Sequence, residues 1–513
     1  VNSASDQAPL AGSALAITSL ALALGTFMQV LDGTIANVSL PTIAGNLGVS
    51  SDTSTWVITA FAVANGITVP LTGWLMGRYG VVRTFVASVF LFTVASLLCG
   101  IAWSLSSLVI FRILQGAVSG PMIPGSQALL IAIFPLEKRS VALGIWSMTT
   151  LVAPIMGPLL GGYISDNYHW SWIFLINLPF GLGAGLVSWF FLRSRETPTR
   201  KLPIDRVGLL LLAFWVGALQ TMLDLGKNAD WFASTFITIL AFCAAIGFVA
   251  WLIWELTEEH PIVDLSLFRS RNFLIGTLAL SLGYALFFAN NLLIPLWLQT
   301  QMGYTATWAG MVAAPSGAVA VVLSPLFSRF GNRIDARILA TISFAAFAIS
   351  YFLRTHYATT TDFWHLTMPL LFQGAGMAAF FMAMLNISLD AIPPQKVPSA
   401  TGISNFARIT AGSFGASLVT TVWDRREAVH QSNLVDVSNN ASIPYQQAVG
   451  QLGQLGLTDT QVAGSIGRQI IGQAYLLAAN DIFWLSTWTS LVLGVIVWLA
   501  RRPKPLGGPV AAD

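Results

Sequence analysis

The sequence predicts an all-α membrane protein that crosses the bilayer about fourteen times. Three observations predict it. Of 513 residues, 55% are hydrophobic and only 9% charged, whereas a soluble domain carries roughly a quarter charged residues. Fourteen mostly apolar windows of about 20 residues, the length that spans the hydrocarbon, are spread along the whole chain. Between those windows, the basic residues segregate to one side.

The windows run in order from a polar tail at 1–13. The first, 14–36, extends in apolar character past Pro41 to about Leu47. Windows 53–76 and 84–103 flank a turn with Arg78 and Arg83, and 107–133 and 141–164 flank Lys138 and Arg139. Window 171–192 ends at Arg193; 207–224 is short and is followed by 232–255. Then come 272–298, 307–327, 337–354, 364–388, 399–423 and 481–500, with a tail at 501–513. The segment 424–480 is a long connection rich in Gln, Ser, Asn and Gly, in which Thr458 and Gln461 resemble a capping box opening a helix toward the last span.

An even number of spans places both termini on one side. Eighteen of the 25 Lys and Arg residues then fall on that side. Five fall on the other (Lys227, Arg354, Arg425, Arg426, Arg468), and Arg112 and Arg408 lie within helices. This bias makes the terminal side cytoplasmic and the 424–480 segment external.

A faint repeat runs through the chain. Shifted by 258 residues, Gln115-Gly116-Ala117 overlies Gln373-Gly374-Ala375, Gly144 overlies Gly402, Ala153 overlies Ala411 and Gly157 overlies Gly415. The expected organisation is therefore a six-helix bundle over 14–192, a linker over 193–271 with two extra helices, and a second six-helix bundle over 272–500. The site of action would lie between the bundles.

Signatures of soluble enzymes are absent. There is no phosphate-binding loop, and the five histidines are scattered through loops without metal-ligand spacing. Cys99 and Cys243 sit in apolar runs and read as small packing residues. No enzyme activity, metal, cofactor or nucleic acid is expected.

Ionisable groups at membrane depth are costly and face a partner or a cavity. Asp32 is the first. A buried carboxyl can take up and release a proton as its access to water changes. Arg112 is permanently charged and needs a counter-charge, for which Asp32 and Gln115 are the candidates. Arg408 is a second intramembrane cation, and Gln29, Asn37, Gln115, Asn290, Asn291 and Gln373 are candidate polar liners of a cavity; helix packing is the alternative for each. The run Ala153-Pro154-Ile155-Met156-Gly157-Pro158-Leu159-Leu160-Gly161-Gly162 predicts a kinked helix packed closely at a bundle interface.

These segments together resemble the major facilitator superfamily, in particular its fourteen-helix drug:proton antiporters and, among those, the EmrB-type multidrug efflux pumps. Leu31-Asp32-Gly33-Thr34-Ile35-Ala36-Asn37-Val38-Ser39-Leu40-Pro41 resembles the first-helix motif of that group. Leu108 through Gly116 resembles the helix-four motif, whose arginine, here Arg112, the family associates with proton transfer. The Pro154–Gly162 stretch resembles the antiporter motif. Trp170 through Pro179 and Leu219 through Phe232 are similar as well. The loop after the second helix departs from the pattern, because Gly73-Trp74-Leu75-Met76-Gly77-Arg78-Tyr79-Gly80 has Gly77 where the family carries an acidic residue. The charge relay attributed to that acid cannot operate here in its usual form.

The resemblance implies a major facilitator fold of two six-helix bundles plus two inserted helices. It implies proton-coupled export of small lipophilic drugs from the bacterial inner membrane, with protons as the coupling ion. It also implies a periplasmic adaptor of the EmrA type and an outer-membrane channel as partners, and 424–480 lies on the side where an adaptor would dock. The alternatives are a proton-coupled lipid or metabolite transporter, or a receptor or scaffold that works through 424–480.

Overall fold

The computed structural model describes residues 10–49, 51–135, 138–199, 203–330, 334–390, 392–438 and 442–502. Among these the only regular structure is helical. In the first half the helices are α1 (Gly12–Leu47), α2 (Ser51–Ser54), α3 (Trp56–Thr68), α4 (Thr72–Tyr79), α5 (Val81–Gly100), α6 (Leu105–Ser119), α7 (Met122–Ile133), α8 (Arg139–Asn167), α9 (Trp172–Leu175) and α10 (Asn177–Leu192). Then follow α11 (Arg206–Leu225) and α12 (Thr235–Thr257). The second half holds α13 (Arg271–Thr300), α14 (Ala306–Phe330), α15 (Ala336–Arg354), α16 (Phe363–Ser388), α17 (Val397–Val437), α18 (Ile443–Gln454) and α19 (Asp459–Ile496).

Eleven helical stretches among the described residues are long and apolar enough to cross a membrane. They become twelve when α3 and α4, bent by 57° at their junction, count as one span. The fourteen expected windows all contain helix, but 141–164 and 399–423 do not meet that criterion. The 399–423 part of α17 turns polar residues inward, with Ser404, Asn405 and Arg408 buried, so its average character understates how protected it is.

The segment 424–480 is largely helical instead of a loop. α17 continues to Val437, and α19 starts at Asp459 behind the capping box, in which Thr458 N donates to Gln461 Oε1 at 2.9 Å. The two long helices are clasped by the Trp423–Tyr475 ring pair at 4.6 Å and by Arg426 and His430 on Asp481. These paired contacts let helix persist through a stretch whose composition reads as polar coil.

Helices in lipid gain little from hiding apolar surface from one another, so close packing and small residues govern association. The repeat marks where this happens. A Cβ on Gly116 would stand 2.5 Å from Phe61 O, bringing α6 onto α3; one on Gly374 would stand 2.1 Å from Ser316 O, bringing α16 onto α14. Likewise Gly157 meets Thr34 of α1, and Gly415 meets Ala285 O of α13. Equivalent glycines thus set equivalent helix pairs in both halves.

The inserted helices wedge beside the seam. Gln220 of α11 donates to Ser413 of α17 at 3.1 Å, Ser417 Oγ donates to Leu223 O at 2.6 Å and Trp231 Nε1 donates to Thr421 Oγ1 at 2.8 Å. Beyond α12, Asp264 receives Lys396 Nζ at 2.8 Å just before α17. Burial pushes the Asp264 carboxyl upward, but hydrogen bonds from Lys396 and Ser266 outweigh it and hold the group below the usual carboxylate range.

Candidate functional site

α1 runs unbroken through the Asp32 region and past Pro41, so Asp32 stands deep in the protein with no solvent exposure. Five elements converge on it. Arg112 of α6, equally buried, donates through Nη1 to Asp32 Oδ2 and to Gln115 Oε1 at 2.7 Å, and through Nε to Val57 O at 3.0 Å. Its guanidinium lies 4.3 Å from the Phe61 ring centroid. Gln115 Nε2 donates to Asp32 Oδ1 at 3.0 Å and to Ser96 Oγ of α5 at 2.8 Å. Asn177 Nδ2, at the start of α10, donates to Asp32 Oδ1 at 3.1 Å.

The carboxylate therefore faces one full positive charge and two amide donors in a site closed to bulk water. The cluster is held by packing among α1, α3, α5, α6 and α10, each of which supplies one of its side chains or backbone acceptors. Arg112 Nη2 is buried without a partner, so the pair is not fully satisfied.

The expected liners separate into three groups. Gln115 belongs to the Asp32 cluster, and Gln29 is buried with its Oε1 unpartnered. The side chain of Asn37 lies outside the described residues. Asn290, Asn291 and Gln373 are tied within the C-terminal helices: Asn290 Nδ2 to Ser486 Oγ at 3.1 Å, and Gln373 Nε2 to Asn291 Oδ1 at 3.2 Å.

Arg408 of α17 lies at the seam between the halves. Its Nη2 donates to Asn405 Oδ1 at 3.1 Å, and Asn405 Nδ2 reaches Gln127 Oε1 of α7 at 2.8 Å. Tyr284, Phe381 and Trp146 surround the guanidinium, their ring centroids at 4.5, 5.6 and 6.0 Å. No carboxylate pairs with it among the described residues.

At one end of the bundle α4 meets the start of α17. A Cβ on Gly73 would fall 2.3 Å from Ser399 Oγ and 2.9 Å from Ser399 Cα. Gly402 abuts Val69 O at 3.4 Å measured the same way. This end joins the two halves. Beside it, Arg78 stacks on Trp74 and Tyr79, and Gly80 takes φ +94°, a left-handed backbone suited to glycine. Glu196 approaches the first turn of α5, accepting from Val82 N at 3.0 Å and Arg83 N at 2.8 Å. A carboxylate is favoured at a helix N-terminus. In the expected antiporter segment, Gly157 and Gly161 press on Thr34 and Ile35 of α1, whereas nothing lies within 4 Å of a Cβ on Gly162. Pro154 is half-buried on the same helix; the side chain of Pro158 lies outside the described residues.

Sequence reasoning missed Ser96, Asn177 and Glu196. Asn177 had a signal, as the one amide in an otherwise apolar stretch. One placement is corrected. Arg354, assigned to an external loop, is the last residue of α15 and fully buried, because Ser350 and Gln373 draw its head inward.

The profile of the Major Facilitator Superfamily matches residues 22–416. The multidrug export protein EmrB of Haemophilus influenzae is 50% identical over 98% of this chain and 99% of its own length. EmrB of Escherichia coli is 49% identical over 98% of both chains. The fatty acid resistance protein FarB of Neisseria gonorrhoeae is 47% identical over 98% of this chain and 99% of its own. Among solved structures, the human organic anion transporter MFSD10 (TETRAN) superposes with a TM-score of 0.57 at 12% identity, covering 94% of this chain and 98% of that one. That likeness shows the fold alone.

Proposed function

The chain belongs to the major facilitator superfamily and is a multi-pass membrane transporter, not an enzyme; on that premise we propose that it is a proton-coupled antiporter that exports lipophilic drugs. The single observation that carries the coupling is the buried Asp32 carboxyl, held by Arg112, Gln115 and Asn177 in one closed site. Relatives of nearly half identity that are named for multidrug export support the cargo.

In this reading the α4–α17 contact is a gate that faces the cytoplasm with both termini, and the α17–α19 hairpin faces the periplasm of a bacterial inner membrane. A proton arriving from outside neutralises Asp32, weakens its pull on Arg112 and loosens the five-helix cluster. The halves then rock, parting Gly73 from Ser399 and presenting Arg408 and its aromatic rings to the other side. Return requires the proton to leave inward. Each inward proton carries about 2.3 kcal/mol per 100 mV, which sustains roughly a fifty-fold gradient of a neutral drug at about 1.4 kcal/mol per tenfold. The hairpin would engage a periplasmic adaptor of the EmrA type, itself joined to an outer-membrane channel.

A second cargo has specific support. The relative named for fatty acid resistance, together with Arg408 among three rings, suits an amphiphile with a lipid-like tail.

The test is dye transport driven by a proton gradient in proteoliposomes, comparing wild type with Asp32→Asn after both are confirmed folded. The expected result is concentrative transport by the wild type and mere equilibration by the variant. Concentrative transport by Asp32→Asn would sink the coupling role. Absence of any wild-type flux would sink the transport reading for the isolated chain.

A further inference from the structure

The two halves carry the same polar layer with different charge. The shift of 258 residues that overlays Gln115 on Gln373 also overlays Asp32 on Asn290 and Ser96 on Arg354. In the first half, Gln115 bridges Ser96 and Asp32, and Arg112 is neutralised by the carboxylate. In the second half, Gln373 bridges Arg354 and Asn291. The carboxylate has become an amide, and the cation has moved: Leu370 stands at the Arg112 position and Arg354 at the Ser96 position. Among the described residues no acidic group pairs with Arg354, which has no solvent exposure. An unpaired ion is the costliest thing a membrane protein can bury.

The surroundings offer donors. Arg354 Nη2 is used on Ser350 Oγ at 2.9 Å and on Gln373, but its Nε and Nη1 are buried without partners. Tyr351, whose ring lies 5.2 Å from the guanidinium, has an unpartnered buried hydroxyl. Thr367 Oγ1 is likewise unpartnered, two residues from Pro369, whose carbonyl holds Ser350. Trp297 Nε1 is the fourth, on a ring stacked against Tyr357 at 6.0 Å. Two acceptors, Asn290 Oδ1 and Asn480 Oδ1, also lack partners in this half. Beside this layer is a cavity of about 460 Å3 lined by Leu353, His356, Tyr357, Pro369 and the paired Asp362 and His365, among others. Hydroxyls accept as readily as they donate, but guanidinium and indole nitrogens only donate. A donor-rich layer with one uncompensated positive charge matches a ligand that only accepts.

We propose that α13, α15, α16 and α19 enclose a binding site for a small monovalent anion, with Arg354 as its charged ligand and Tyr351, Thr367 and Trp297 as supporting donors. The anion is a free halide or the carboxylate of an organic acid, which share this chemistry. It enters from the cavity beside Leu353 and Pro369 when the helix ends part, and it neutralises the second half as Asp32 neutralises the first. The site stands apart from Asp32 and does not depend on proton coupling.

The experiment uses the full chain, purified in detergent with sodium sulfate holding ionic strength constant. Equilibrium binding of radiolabelled chloride is measured, with acetate as competitor, and the melting temperature is followed in each salt. The expected result is saturable binding that falls about 10- to 100-fold in Arg354→Gln, as for loss of a charged hydrogen bond. Trp297→Phe and Tyr351→Phe, which keep the rings, should each weaken it several-fold. Stabilisation by acetate but not by chloride, lost in Arg354→Gln, supports the site with a carboxylate as its occupant. Absence of any response to either anion, as expected if ordered water fills the layer, overturns the proposal, and so does a response unchanged in Arg354→Gln. If that variant fails to fold, unaltered affinity in both Trp297→Phe and Tyr351→Phe overturns it equally.

Discussion

Replacing Gly73 by alanine tests the gate directly. The added Cβ would stand 2.3 Å from Ser399 Oγ and 2.9 Å from Ser399 Cα, where ordinary van der Waals separation begins at 3.4 Å. The serine hydroxyl can rotate away, but the α-carbon belongs to the α17 backbone and cannot. α4 and α17 must therefore separate by about half an ångström or more, at a cost of about 1–3 kcal/mol typical of overpacking. Only the conformer in which the two helices touch bears that cost. The equilibrium should shift away from it by roughly 5- to 150-fold, at about 1.4 kcal/mol per tenfold. Spin labels on the exposed positions Tyr79 and Gln395 would read the separation as a distance distribution. The expected outcome is a major loss of the short-distance population in Gly73→Ala. Adding Ser399→Gly should restore it only in part, because the clash with the α17 backbone persists. A distribution identical to wild type would refute the argument that this glycine sets the closed gate.

Three further predictions concern stability. Asp32→Asn and Arg112→Gln should each destabilise the protein by about 3–5 kcal/mol, since each strands a buried partner, while the double variant should recover most of the loss; additive losses in thermal unfolding would contradict the pairing. Gly374→Ala, whose Cβ would meet Ser316 O at 2.1 Å, should cost about 1–3 kcal/mol, whereas Gly162→Ala, with nothing within 4 Å inside a helix, should raise the melting temperature slightly. At the start of α15, the hydrogen bonds from Arg337 to Asp335 hold that carboxyl below its ordinary value. Its stabilisation, about 1 kcal/mol, is therefore complete above the unfolded value near pH 4 and fades only as pH falls through the lowered folded one. Asp335→Asn should lower the melting temperature at pH 7 and converge with wild type in strong acid; a difference independent of pH would exclude that ion pair as the cause.

The parts of the site that were legible in sequence are those that violate the composition of their surroundings. Asp32 and Arg112 stand out because a charge in an apolar window needs a reason, and Gln115, one turn from Arg112, was within reach of it. Ser96 was illegible, because serine is common in membrane helices and only its position opposite Gln115 gives it a role. Arg354 was misplaced for a related reason: a cation at the edge of an apolar window reads as its solvated end, and only the packing of α16 against α15 shows that the edge is buried. Gly73 was legible as part of a motif, but its partner Ser399 lies more than 300 residues away, and one sequence carries no sign of that pairing. The helical character of 424–437 was hidden for the opposite reason, since polar residues that lean on a neighbouring helix look like coil when read alone.

The length of α17 has a mechanical consequence. At about 1.5 Å per residue its 41 residues reach about 60 Å, roughly twice the hydrocarbon thickness. One end carries Ser399 and Gly402 against α4; about two thirds of the way along, Trp423 and Arg426 clasp the helix to α19. A stiff rod fixed this way is a lever arm. A tilt of about 10° pivoting at Ser399 sweeps the distal tip through about 10 Å, a displacement that follows from the helix length alone. A small adjustment where the two halves touch would thus become a large stroke at the distal tip, and anything seated there would register it without touching the seam.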